Sequence, residues 1–202
     1  MTMPFLRAAG ALVLLALAGC GSTPPERVHS LLGGQSAGAA PTAISPFLFS
    51  LSPVRLPPGV DQPQWLVRLP DDTLARLEQD RWPASLREEF RAALVEQLVR
   101  RGGVEARTAP GAPAGVRIDV DLRRFETAPG RGAWVVGSYA LVPPVAPGAP
   151  LPAGSRCAYE RMEAETGNSV ALAAAHRRAL EDLAGRIAAA VGRQRLGTDP
   201  CA

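Results

Sequence analysis

Three cysteines and two histidines are the softest ligands and nucleophiles in this chain of 202 residues, and they are scattered. Cys20, Cys157 and Cys201 lack the C-x₂-C spacing of a zinc site, so neither a metal nor a cofactor is expected. His176 stands beside Arg177 and Arg178 in a helical stretch and reads as a surface or core-edge residue, while His29 falls in linker sequence. No serine sits in a G-x-S-x-G elbow between a strand and a helix, since the one match to those letters, Gly34 to Gly38, falls in linker sequence, which leaves a Ser-His-Asp arrangement without support. Asp119 and Asp121 share one face of a strand and could form a carboxylate pair for acid–base work. Arg117 and Arg123 alternate with them, and a neutralised, solvated face is the simpler reading. The pairs Arg100-Arg101, Arg123-Arg124 and Arg177-Arg178 could grip phosphate bidentately, although such pairs are usually solubilising charge. The chain is expected to be non-enzymatic.

Cys20 is the exception, because its surroundings assign it a reaction. Arg7 gives a positive start, Ala8 to Ala18 an apolar run, and small residues precede the cysteine. The run falls short of the about 20 apolar residues of a membrane span. Leu17-Ala18-Gly19-Cys20 looks like a bacterial lipobox, in which the thiol is diacylated with palmitate-type chains and the signal peptide, residues 1–19, is cut away. Gly21 after the cysteine favours delivery to the outer membrane, with the protein facing the periplasm. Two or three acyl chains make such an anchor effectively permanent.

An oxidising compartment permits a bridge between Cys157 and Cys201; the alternative is a buried Cys157 and a free thiol in the tail. Trp65, Trp82 and Trp134 read as core and interface aromatics. Trp82, in a connection ahead of a helix, and Arg131 with Trp134, at a turn, are the candidate contacts for a partner protein.

These residues need a scaffold, and the chain supplies one after a tether. Residues 20–45 have Gly, Ala, Ser, Thr and Pro linker composition, interrupted only by Val28 to Leu32, which could dock as an edge strand. Residues 46–192 form the expected domain and 193–202 a tail. Strands are expected at Phe47 to Leu56, Gln64 to Leu69 and, weakly, Thr73 to Leu77. Ser85 with Glu88 forms a capping-box pattern, and Leu86, Phe90, Leu94 and Leu98 recur every four residues, which predicts a helix over about 84–101. Val116, Ile118, Val120 and Leu122 alternate with charged residues, and Ala133 to Val142 follows a Gly-rich turn, so the two should pair as a hairpin. The proline-rich stretch 143–154 reads as a loop before a strand over Ser155 to Glu163. A last helix starts at Asn168, with Leu172, Leu180, Leu183, Ile187 and Val191 on one stripe before Gly192. The expected fold is α+β: one mostly antiparallel or mixed sheet of about six strands, with two amphipathic helices on one face.

Composition agrees with one ordinary globular domain, 47% apolar and 20% charged. The basic residues are all arginine and exceed the acidic ones by only three, which does not indicate a nucleic-acid binder.

In order, the lipobox, the run SPVRLPPGVDQPQWLVRL, the helix of RWPASLREEFRAALVEQLVRR, the strand VRIDVDLRRFE and the closing helix resemble the ABC-type transport auxiliary lipoproteins. The most specific part is Trp82, Ser85 and Leu86 leading into the Leu-rich helix, preceded by V-x-L-P at Val54 to Pro57. The resemblance implies a non-enzymatic subunit that works with inner-membrane permease and ATPase components and a periplasmic MCE-domain protein in moving lipid between membranes, docking as a homo-oligomer. The alternative is an envelope scaffold with no direct part in lipid transport.

Overall fold

The computed structural model describes residues 24–33, 45–106, 114–145 and 154–202. The signal peptide, Cys20 and most of the proline-rich stretch 143–154 lie outside the described residues. The architecture is α+β, an open mixed sheet of eight strands with two helices. The strands are β1 (Arg27–Val28), β2 (Phe47–Leu51), β3 (Gln64–Arg68), β4 (Leu74–Arg81), β5 (Gly103–Glu105), β6 (Val116–Ala128), β7 (Gly132–Val142) and β8 (Ser155–Ala164). The helices are α1 (Leu86–Arg100) and α2 (Ser169–Arg195).

The sheet is organised on β6. One edge of this 13-residue strand pairs antiparallel with β7, which pairs in turn with β8. The other edge carries an interrupted partner in series: β2 lies parallel to its start, Arg55 bridges to Asp121 midway, and β3 meets Thr127 near its end. The single strand expected over 47–56 therefore stops at Leu51. Pro53, Pro57 and Pro58 lack the N–H a continuous ladder needs. A bulge between Leu122 and Arg124 shifts the register, and Gly137 faces it, where a Cβ would meet the Asp121 carbonyl oxygen at 2.2 Å.

The two strands beyond the expected six are β1, at the patch that could dock as an edge strand, and β5, which at three residues is too short to leave a period in the sequence. On the inner face of the sheet, Val116, Ile118, Val120 and Leu122 join Val135, Leu141 and Tyr159 beneath the helices. In α1, Leu86, Phe90, Leu94 and Leu98 are all fully buried, and the Ser85 side chain accepts from the Glu88 amide as the capping pattern requires. In α2 the expected stripe is buried, and Asn168 caps its start by accepting from the Ala171 amide. The helix runs through Gly192 to Arg195, and the stop is Gly197, whose φ of 70° is the left-handed conformation glycine tolerates.

Candidate functional site

The patch Val28 to Leu32, which could dock as an edge strand, does so, and with Arg27 it is built into the domain as a strap. β1 lies parallel to β4, with Arg27 opposite Asp80. The Arg27 guanidinium donates to both Asp80 oxygens at 2.9 and 2.7 Å, and His29 Nε2 donates to Oδ1 at 2.7 Å. Arg27, then His29 and Ser169, hold the buried Asp80 carboxyl ionised, with its pKa down at about 2 against the opposing cost of burial. Further along, the Glu89 carboxylate accepts from the Ser30 hydroxyl at 2.5 Å and the Leu31 amide at 2.6 Å, and Arg177 donates to the Ser30 carbonyl at 2.9 Å. Leu31 enters the core. The described fold thus includes residues 27–32 together with the stretch from Pro46 onward. The partners that hold it lie on β4, α1 and α2, out of reach of any local pattern.

Beneath the strap is an aromatic cluster. The His29 ring lies 4.7 Å from Trp65, which lies 4.7 Å from Trp82, and His176 stacks on Phe125 at 4.2 Å. His176 is fully buried and bonded through Nε2 to Thr127, so its reading as a surface or core-edge residue is corrected. It occupies the position between Leu172 and Leu180 on the buried stripe. Burial pushes its pKa down to about 3, so it is neutral and holds no proton to give near neutral pH. Trp82 is corrected too. At 4% exposure, packed on Trp65 and edge-on to Phe125, it belongs to the core and presents nothing to a partner.

The other two interface candidates come together on the outer face, opposite the helices. Trp134 is half-buried, with the Arg124 guanidinium 5.2 Å and that of Arg131 6.0 Å from its ring. Arg124 and Arg68 both pair with Glu126, at 2.6 and 2.7 Å, which lowers that carboxyl to about 2. Arg131 reaches the Leu69 carbonyl, and the exposed Met162 lies across the ladder from Trp134. The result is an aromatic platform rimmed by arginine, of the composition protein interfaces favour. Sequence spacing alone could join Arg131 to Trp134 across one turn, but Arg124 and Met162 join them only through strand register.

Asp119 and Asp121 form no acid–base pair. Ser52 and Arg117 hold the first and Arg55 the second. Cys157 and Cys201 are joined by a disulfide that ties the tail to β8. A groove of about 590 Å³ opens beside it along α2, but its arginines are largely matched, Arg161 and Arg178 by Glu163 and Arg186 by Asp182. At the far end of α2, Leu48, Val116, Pro143, Pro144 and Val191 line an apolar groove of about 310 Å³. Among the described residues no three His, Cys, Asp or Glu side chains gather as a metal site, and no helix is long and apolar enough to cross a membrane.

Solved structures resemble this fold at low identity. One is a crystal structure of an uncharacterised protein, 14% identical, with a TM-score of 0.55 over 85% of this chain and 99% of its own. Another is a Xanthomonas campestris protein of the DUF330 family, 16% identical, with a TM-score of 0.56 and the same coverage. At such identities the likeness speaks for the fold. No curated protein matches the chain significantly. The model of the ABC-type transport auxiliary lipoprotein component matches residues 29–188, from the strap's buried histidine to near the end of α2. With most of its length inside that match, the chain belongs to the ABC-type transport auxiliary lipoprotein family.

Proposed function

We propose that the protein is a non-enzymatic, outer-membrane-anchored periplasmic subunit of an intermembrane lipid transport system. In this reading Cys20 carries the lipid anchor, and the domain docks an MCE-domain protein that works with a permease and an ATPase in the inner membrane. The observation that carries the reading is the family match over residues 29–188. Two features support it. Among the described residues, Asp119 and Asp121, the one candidate carboxylate pair, are engaged in structural ion pairs. The Trp134 platform is the place where a partner could bury an aromatic anchor.

Two experiments test this. Cys20→Ser should move the chain from the outer-membrane fraction to the soluble periplasm and abolish palmitate incorporation. Capture of the tagged wild-type chain from native membranes should recover MCE, permease and ATPase subunits, and Trp134→Ala with Arg131→Ala should lose them while melting normally. Capture of outer-membrane assembly proteins alone would favour a scaffold and overturn the transport reading.

A further inference from the structure

We propose that the sheet edge formed by β1, together with the first turn of α2, is the surface that lies on the lipid bilayer. The inference rests on the reading of Cys20 as the acylated residue and deepens it by giving the domain an orientation.

The chain itself sets the first constraint. Arg27, the first residue fixed in the sheet, is seven residues after Cys20, and at 3.3 to 3.6 Å per residue that length reaches at most about 25 Å. The strap cannot lengthen the tether by peeling away without breaking the Asp80 and Glu89 clusters. α2 supplies the ruler for the rest of the domain. Its 27 residues extend about 40 Å. Arg177, in its first half, bonds the strap, while Arg195 at its end bonds Pro46. The first half of α2 is thus held against the strap, and its far end lies about 27 Å along the helix from Arg177, beyond the tether's length of about 25 Å.

Surface chemistry selects how the domain leans. Val28 in β1 and Val170 in the first turn of α2 are each 59% exposed, and Leu32 in the strap is 40% exposed. Three apolar side chains in water border one edge within tether range of an acyl anchor, where a membrane interface would cover them. Charge on this edge is balanced. Arg27, Arg81 and Arg177 stand against Asp80, Glu26 and Glu89, so no excess of acid repels anionic headgroups. The anchor provides affinity, and the valine edge sets orientation.

The test uses the full acylated chain in vesicles of phosphatidylethanolamine and phosphatidylglycerol, with a single environment-sensitive fluorophore on Val28→Cys, Val170→Cys, Val104→Cys or Leu196→Cys. Cys20 is acylated and Cys157 is bridged to Cys201, so only the new thiol reacts. A nitroxide on the lipid headgroup should quench the fluorophore at positions 28 and 170, with loss of emission, and leave that at 104 and 196 unchanged. Each variant is first shown to melt cooperatively, and flotation with the vesicles is compared with that of Cys20→Ser. A chain that fails to float, or floats equally without Cys20, overturns the anchor and the orientation with it. A chain that floats through Cys20 but is quenched equally at all four positions, or only at 104 and 196, overturns the proposed surface alone.

Discussion

Replacing Asp80 by asparagine removes the charge at the centre of the strap while keeping the shape of the side chain. The carboxyl is 3% exposed and its pKa lies at about 2, against 3.8 for an ordinary aspartate, so the native state favours the ionised form by roughly 2 kcal/mol at 1.36 kcal/mol per pKa unit. Asp80→Asn should therefore lower unfolding free energy at pH 7 by about 2 kcal/mol. The pH dependence follows from the sign of the shift. A depressed native pKa contributes fully above the unfolded value and is lost as pH falls through the native one, so this contribution fades between about pH 4 and pH 2. Urea unfolding of both chains across that range isolates Asp80, since Glu126 and the other paired acids are common to both. The difference between the chains should shrink towards pH 2. A difference that stays constant with pH would refute the electrostatic reasoning and leave only a packing effect. Trypsin should also cut after Arg27 faster in the variant, because the strap opens before the domain does.

Three further outcomes follow from burial and connectivity. Leu94→Asp, at a fully buried position of α1, should abolish the cooperative melt, whereas Glu96→Ala, which loses only its contacts to Arg100 and the strap at Gly33, should cost less than about 1 kcal/mol in the same calorimetric assay. Trp82→Ala should cost about 3 to 5 kcal/mol in chemical denaturation, because it empties the aromatic cluster. Reduction of the Cys157–Cys201 bridge, which closes 44 residues, should lower stability by about 2 to 4 kcal/mol, measured by melting with and without reductant.

The elements legible in the sequence are those whose stability is local or periodic. α1 announced itself through Ser85 and a four-residue stripe, and β6 with β7 through strict alternation either side of a Gly-rich turn. What escaped depends on partners far along the chain. Arg27 meets Asp80 53 residues later, and β5 exists because Gly103 aligns with Phe47, neither of which leaves a spacing to read. His176 is legible in principle, since it fills the gap in its own helical stripe; its neighbours Arg177 and Arg178 suggest a surface or core-edge place, and the Thr127 that bonds its Nε2 lies on a distant strand, while Nδ1 has no partner among the described residues. Trp82 precedes a helix, as an exposed anchor would, but Trp65 and Phe125 enclose it from other strands. For the interface, one turn of sequence brought Arg131 and Trp134 together, and only the register of three strands completes their surroundings.

The placement of β2 and β3 along one edge of β6 has a consequence for the order in which the chain can become structured. Both await a strand that begins at Val116, some fifty residues after β3 ends, and the strap awaits Arg177, 147 residues after Ser30. β3 can pair locally with β4, but the places of β2, β3 and the strap in the full sheet wait for these later elements, and long-range pairings of this kind form slowly. The earliest residues out are the last to be secured. In the proposed reading, a polypeptide with that schedule would stay threadable through an export channel until the final helix has docked.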